Sequence, residues 1–172
     1  MKDPAIENLK NGIEAFIPNK DISVEENISK LAKLHDFIST LPGALVGDSP
    51  EYLEVCPIKH TFVDGAYVRE IFLPKGMSFV TKIHAKTHPY FIMKGSVSVY
   101  INGKTVRLDA PHSGITKAGT QRFLCTHEDT IWITVHVTNK TDVEEIKKDV
   151  TVNNLEELKA LKLSDKIKGG LS

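Results

Sequence analysis

The sequence has few cysteines, no excess of charge of either sign and no long hydrophobic run. Its two cysteines, Cys56 and Cys125, are too few for a disulfide framework or a four-thiolate zinc site, so we expect two buried or half-buried thiols, with one disulfide as the alternative. The 22 basic residues balance the 22 acidic ones, which argues against nucleic-acid binding as the main activity. No apolar run approaches the roughly 18 residues of a membrane span, and residues 1–10 contain no apolar signal core. We therefore expect a cytoplasmic protein without nucleic-acid or membrane partners.

The composition is that of a globular protein whose chemistry is concentrated in the middle of the chain. The 172 residues are 41% hydrophobic and 26% charged, which suits one compact domain with its own core. Residues 51–138 contain 10 basic and 7 acidic side chains and six of the seven histidines. A functional site is therefore expected in this middle section.

Helical patterns lie on both sides of the middle section of the chain. Ser23 and Glu26 form a capping-box pattern at the start of the first one. Its apolar residues recur at helical spacing: Ile28, Leu31, Leu34, Phe37 and Ile38. This amphipathic helix is expected to pack on the sheet or on a partner subunit. A short helix is predicted after Pro4, two more helices over residues 141–149 and 153–162, and a frayed end over residues 163–172.

The sequence pattern of the middle section is typical of an all-β protein. From residue 58 to residue 138, nine short runs rich in β-branched and aromatic residues are separated by turn residues. Asn102-Gly103 is the strongest hairpin signal, and residues 77–84 are predicted as one strand. Such closely spaced strands predict an antiparallel jelly-roll β-barrel over residues 51–138, with an N-terminal helical extension over residues 1–50 and a short C-terminal helical tail over residues 139–172.

The stretch from Gly76 to Gly95 resembles the first motif of the cupin superfamily, which runs Gly, five residues, His-x-His, three or four residues, Glu, six residues, Gly. The spacing is kept throughout. Lys82 stands at the first histidine position, His84 at the second, and His88 at the position of the glutamate.

The second cupin motif, Pro-x-Gly followed after two residues by a histidine, is matched more weakly by residues 117–122. Gly119 is in place, whereas Lys117 replaces the proline and Arg122 the histidine. The resemblance implies a cupin-type jelly roll and a homodimer, and the helical flanks resemble those of small cupin-like proteins from bacterial and phage genomes.

Histidines are the candidate metal ligands. A hairpin connection between two strands would bring His84 and His88 together, and alternation puts Lys82 on the same face as His84. Two neutral imidazoles could bind iron, zinc, manganese, copper or nickel, and His136 in the last strand is the best third ligand. Of the other histidines of the middle section, His60 and His112 are interpreted as loop or strand-end residues, and His127 as a residue of an exposed turn.

Other side chains complete the expected pocket. Tyr67 and Tyr90 are candidate ligand-binding walls, and Trp132 is a candidate core residue. Arg69 is expected either to line the pocket or to lie on the outer face of its strand, and the outer face is favoured. Lys82 and Arg122 are not ordinary metal ligands and would repel a divalent cation, so they favour an anion.

Three interpretations of this pocket stay open. One is a metal-dependent protein that acts on a small oxygen-rich or carbonyl substrate through His84, His88 and His136. Another is a metal-free pocket that binds a sugar phosphate or nucleotide-derived signal through Lys82 and Arg122 without catalysis. The third is a degenerate cupin whose pocket is structural, as in an accessory protein of a larger assembly. The sequence does not choose between an enzyme and a binding protein.

Overall fold

The computed structural model describes residues 20–45 and 47–169, with side chains up to residue 162. The short helix predicted after Pro4 lies outside the described residues. The helices are α1 (Val24–Ser39), α2 (Pro50–Val55), α3 (Val143–Val150) and α4 (Leu155–Gly169). The strands are β1 (Ile58–Val63), β2 (Ala66–Leu73), β3 (Ser78–Val80), β4 (Ile83–His84), β5 (His88–Lys94), β6 (Ser96–Ile101), β7 (Lys104–Asp109), β8 (His112–Thr116), β9 (Phe123–Thr126), β10 (Thr130–Val137) and β11 (Thr151–Val152).

Two antiparallel sheets form the body of the molecule. One has the strand order β1-β2-β10-β5-β8 and the other β3-β9-β6-β7, while β4 pairs with β11 in a small third sheet. The main apolar core includes Ile71 and Trp132 from the five-stranded sheet and Val97 and Leu124 from the four-stranded sheet. The predicted all-β jelly-roll class with helical segments on either side is therefore confirmed.

The turn between β6 and β7 shows how local sequence sets the sheet. Asn102 has a φ of 50° and Gly103 a φ of 86°, as a two-residue type I′ hairpin requires, and β6 and β7 pair in register from this turn outward. The hairpin predicted from Asn102-Gly103 is confirmed.

The strand predicted over residues 77–84 is wrong as a single element. β3 pairs with β9 of the four-stranded sheet, whereas β4 pairs with β11 from the C-terminal segment. Thr81 and Lys82 lie in the break, and Lys82 is exposed. The expected alternation from Ser78 through Lys82 to His84 therefore fails, because the two strands belong to different sheets.

The helices cover the barrel. Ser23 caps α1 by accepting a hydrogen bond from the Glu26 backbone N–H at 3.0 Å. The apolar stripe of α1 packs on the barrel of its own chain, with Leu31 and Leu34 in one cluster with Tyr100 and Phe123. This stripe is thus used within the chain and does not require a partner subunit.

The C-terminal segment also belongs to the folded body. Val152 of β11 and Leu158 of α4 pack with Ile83 of β4. The helix α4 continues to Gly169, so the frayed end predicted from residue 163 is wrong up to that residue. Both cysteines are free thiols, Cys56 buried and Cys125 half-buried. None of the described helices combines the length and hydropathy needed to cross a membrane.

Candidate functional site

Three strands bring the candidate metal ligands together inside the barrel. His84 ends β4, His88 begins β5, and His136 lies near the end of β10. The ring centroids of His84 and His88 are 4.8 Å apart, and those of His88 and His136 are 4.3 Å apart. The three histidines singled out from the sequence are therefore neighbours, and are called the histidine triad below.

Each histidine of the triad has one buried ring nitrogen without a hydrogen-bond partner. His84 Nδ1, His88 Nε2 and His136 Nδ1 are buried without a hydrogen-bond partner. His88 Nδ1 lies 3.1 Å from the Lys86 carbonyl oxygen. Because a carbonyl only accepts, His88 carries its proton on Nδ1 and leaves a lone pair on Nε2. A second hydrogen bond of this kind commonly orients a metal-binding imidazole.

Burial keeps the triad neutral at physiological pH. Desolvation lowers the pKa of His84 to about 3 and that of His136 to about 4, and neighbouring imidazole and guanidinium charges add to both shifts. Burial also lowers the pKa of His88, although the Lys86 carbonyl opposes the shift. Neutral imidazole is the form that binds a metal ion.

Arg122 places a buried cation beside the triad. It is 8% exposed, and its Nη2 donates to Thr116 Oγ1 at 3.0 Å. Thr116 pairs with His88 across β8 and β5. The guanidinium also lies 5.3 Å from the centroid of the Tyr90 ring. No ion pair among the described residues includes Arg122, and its charge disfavours protonation of His84 and His88 by lowering their pKa.

The two tyrosines of the expected pocket wall are buried in the interior. The Tyr90 ring stacks on Trp132 at 4.8 Å. The Tyr67 ring stacks on His136 at 6.1 Å, and its hydroxyl lies 2.6 Å from His60 Nδ1. His60 therefore lies inside β1 as a partner of a buried tyrosine, and the loop interpretation of this histidine is wrong.

The last two histidines of the middle section also have side-chain partners. His112 begins β8, as a strand-end residue, and its Nε2 lies 3.3 Å from the Tyr90 hydroxyl. His127 lies between β9 and β10, and its Nε2 lies 2.7 Å from Ser98 Oγ. Neither belongs to the histidine triad.

Arg69 is the site residue that sequence reasoning misplaced. The favoured placement on the outer face of β2 is wrong and the pocket-lining alternative fits, because Arg69 has the same parity as Tyr67 and Ile71, which are 2% and 5% exposed. Arg69 pairs with Thr134 across β2 and β10, and its charge lowers the pKa of His84 and His136. The parity that Arg69 shares with Tyr67 was the available signal, because Tyr67 was itself assigned to the pocket.

Lys82 is exposed to solvent, unlike Arg122. It lies in the break between β3 and β4, whereas Arg122 is 8% exposed. The two side chains that sequence reasoning grouped as one anion site are therefore unlike in environment. Arg69 is half-buried and is, with Arg122 and Lys86, one of the cations whose charge lowers the pKa of triad histidines.

The residue types of the triad suit a metal ion, but their arrangement in this structure is not that of a metal site. Within residues 20–45 and 47–169, no group of three or more His, Cys, Asp or Glu side chains is placed so that it could hold a metal ion. Three neutral imidazoles with unpaired buried nitrogens nevertheless match the ligands that zinc, iron and nickel accept. Two shallow surface depressions elsewhere are lined by other residues and contain none of the triad.

No protein-family model and no curated protein matches this chain. Among solved structures it is similar to KdgF from Halomonas sp., with 13% identity and a TM-score of 0.45 over 52% of this chain and 84% of that one. It is also similar to a cupin superfamily protein from Desulfitobacterium hafniense, with 9% identity and a TM-score of 0.43 over 49% and 78% of the two chains. The cupin domain of Schizosaccharomyces pombe Cnp3 is 18% identical, with a TM-score of 0.42 over 63% and 72%. At this level the function must be argued from the chain's own residues.

Proposed function

We propose that the barrel interior binds one divalent transition metal ion through His84, His88 and His136, together with a small oxygen-rich anion that pairs with Arg122. The observation that carries this proposal is the set of three buried imidazole nitrogens without partners. A buried polar atom without a partner costs roughly 1–3 kcal/mol. With the three rings turned toward it, one bound ion would satisfy all three nitrogens, and it would polarise an oxygen atom of the bound molecule.

The anion follows from electrostatics. A guanidinium in a poorly solvated interior repels a divalent cation strongly, because little water is present to screen the two charges. Arg122 has no carboxylate partner among the described ion pairs. An anion bound between Arg122 and the metal ion would be attracted to both cations. Metal binding and anion binding are therefore expected to strengthen each other.

Each surrounding residue has a defined part in this proposal. Arg122 offers its planar guanidinium to a carboxylate, held in place by Thr116 and by the Tyr90 ring. Tyr90 and Trp132 form a stacked aromatic wall that keeps water from that side of the site. Tyr67 packs its ring on His136 and limits the movement of this imidazole. Lys86 orients His88 through its backbone carbonyl.

Calorimetric titration of zinc into the chelator-treated full chain tests the proposal. We expect about one ion per chain, loss of binding in His88→Ala, and unchanged binding in His35→Ala, which removes an exposed histidine of α1. Saturating acetate is expected to raise the zinc affinity of the wild-type chain about tenfold, and Arg122→Gln to abolish that increase. Equal zinc binding by His88→Ala and the wild-type chain would contradict the metal site.

A second candidate function is anion binding without a metal. It is favoured by Arg122, a buried cation outside every described ion pair. In that case the neutral imidazoles act as hydrogen-bond donors to the ligand. Acetate binding would then be lost in Arg122→Gln and kept in the chelator-treated wild-type chain. If Lys82 contributes from the surface, Lys82→Ala would weaken acetate binding as well.

The homodimer implied by the cupin resemblance is proposed separately. The apolar stripe of α1 packs within its own chain, so the interface would lie on another surface. Light scattering during size-exclusion chromatography is expected to give twice the chain mass of 19.1 kDa. A mass equal to one chain at micromolar concentration would contradict the dimer.

A further inference from the structure

Two cations, not one, are directed into the barrel without acidic partners. Arg122 precedes β9 of the four-stranded sheet, and Arg69 lies on β2 of the five-stranded sheet. No ion pair of the described residues includes Arg69 or Arg122. Buried or half-buried cations are usually paired, because loss of hydration is otherwise uncompensated. A ligand with two anionic groups would compensate both.

The register of the sheet fixes how the two cations relate to each other. Arg69 is paired with Thr134 across β2 and β10, and Thr134 is paired with Tyr90 across β10 and β5. Neighbouring strands are about 4.8 Å apart, so the backbones at Arg69 and Tyr90 are separated by about 10 Å. The Arg122 guanidinium lies over the Tyr90 ring at 5.3 Å from its centroid. The two side chains thus flank the interior at Thr134 from opposite sides.

Thr134 supplies an independent observation at this point. It is 9% exposed, and its Oγ1 is buried without a hydrogen-bond partner. It shares its strand face with Trp132 and His136, which are also buried. A threonine hydroxyl in this position can donate to an oxygen of a bound molecule. The interior therefore contains unpaired polar atoms both at the histidine triad and at Thr134, which lies between Arg69 and Tyr90 in the sheet.

We propose that the anion bound in the barrel is a short dicarboxylate, with one carboxylate on Arg122, the other on Arg69, and the Thr134 hydroxyl donating to the molecule between them. This inference rests on the proposed function, which supplies the first anionic group at Arg122. The second group is what Arg69 and Thr134 add.

Calorimetry on the purified full chain at constant ionic strength tests the inference. The monocarboxylates acetate and propionate are compared with malonate, succinate and glutarate. We expect the best dicarboxylate to bind at least about tenfold more tightly than either monocarboxylate, at one molecule per chain, since a charge-assisted contact is gained. Arg69→Gln is expected to reduce dicarboxylate affinity to the monocarboxylate level and to leave acetate affinity within about twofold.

Two further variants separate a binding role from a structural one. Thr134→Val keeps the shape of the side chain and is expected to weaken dicarboxylate binding about threefold to tenfold. Lys33→Gln removes an exposed cation of α1 and is expected to change neither affinity.

The outcomes distinguish this inference from the proposed function. Acetate binding without any dicarboxylate preference would overturn the inference alone. Two molecules of acetate per chain with no tighter dicarboxylate, or equal weakening of both ligand classes by Arg69→Gln, would overturn it as well. A wild-type chain that binds none of the five carboxylates would overturn the proposed anion site and, with it, this inference.

Discussion

Buried polar side-chain atoms without partners are concentrated at one place in the barrel. Six such atoms occur among the described residues, and four of them belong to His84, His88, Thr134 and His136. Native proteins pair most of their buried polar groups, so a cluster of unpaired ones is expected at a binding site. The ligand-free barrel is therefore less stable than its apolar packing would allow, and binding should stabilise it.

Arg122→Met is expected to remove anion binding without lowering the free energy of unfolding of the ligand-free protein. The change removes a buried cation that has no carboxylate partner and replaces it with an apolar chain of similar length. Because an unpaired buried charge is unfavourable, the ligand-free variant should be as stable as the wild-type chain or more stable by about 1 kcal/mol. Urea unfolding measures this change. A loss of more than about 2 kcal/mol would show that Arg122 is needed for folding instead of for a ligand.

Gly114 is required by the position of Tyr90. A Cβ atom on Gly114 would lie 2.7 Å from the Tyr90 hydroxyl oxygen and 2.8 Å from two ring carbons. Gly114→Ala should therefore displace Tyr90 and destabilise the fold by about 1–3 kcal/mol. Gly47→Ala is the matched control, because no atom lies within 4 Å of its added Cβ. Equal urea midpoints for the two variants would contradict this packing.

The neutral histidines make the stability of the ligand-free protein depend on pH. The pKa of His84 falls to about 3 and that of His136 to about 4 on folding, from an ordinary value of 6.5. Below about pH 6.5 the unfolded chain binds protons that the folded chain does not, so stability decreases as pH falls. We expect a loss of about 1–2 kcal/mol per buried histidine by about pH 5.

Urea unfolding of the metal-free chain between about pH 7.5 and pH 5 measures this dependence. His136→Gln should reduce the slope, and His35→Gln, which changes an exposed histidine, should leave it unchanged. A stability that is constant across this range would show that the triad is not held neutral by burial.

At the level of elements, one buried side chain joins α1 to the barrel. Asn27 is 1% exposed. Its Nδ2 donates to the Gln121 carbonyl at 3.0 Å, and its Oδ1 accepts from the Asn102 backbone N–H at 2.9 Å. It therefore ties the helix both to the β6–β7 turn and to the residue before Arg122.

Asn27→Ala would leave both of those backbone groups without their partner. We expect a loss of about 2–4 kcal/mol in the free energy of unfolding, measured by circular dichroism in urea. Ser23→Ala, which removes only the helix cap, should cost about 1 kcal/mol, and Lys33→Ala should stay within about 0.5 kcal/mol of the wild-type chain. A value for Asn27→Ala as small as that for Lys33→Ala would contradict the buried connection.

Element prediction from sequence succeeds where the signal is local. The run Ala66–Leu73 has alternating β-branched and aromatic residues between turns, and it forms β2 with those bounds. The pairing of β4 with β11 joins residues 83–84 to residues 151–152, and no local pattern encodes such a contact. For this reason the break at Lys82 was not predicted. The meeting of His84 and His88 is predictable from the short connection between them, and that of His136 from its face on the last strand of the predicted jelly roll.

At the scale of the whole molecule, both helical flanks cover one barrel. The C-terminal helix α3 packs Ile146 and Val150 against Tyr67, the residue whose ring contacts His136. The N-terminal helix α1 and the C-terminal helix α4 share a cluster around Ile83, the residue before His84. Both flanks therefore support walls of the candidate site, and their removal should affect the site as well as global stability.

The measurement that tests the central claim most directly is elemental analysis of tag-free protein purified without chelators, beside His88→Ala and His35→Ala. The triad is expected to retain about one transition metal ion per chain in the wild-type protein and in His35→Ala, and close to none in His88→Ala. Absence of metal above background in the wild-type chain, even after incubation with iron, zinc, manganese and nickel, would contradict the metal site and leave the two arginines as the basis of the function.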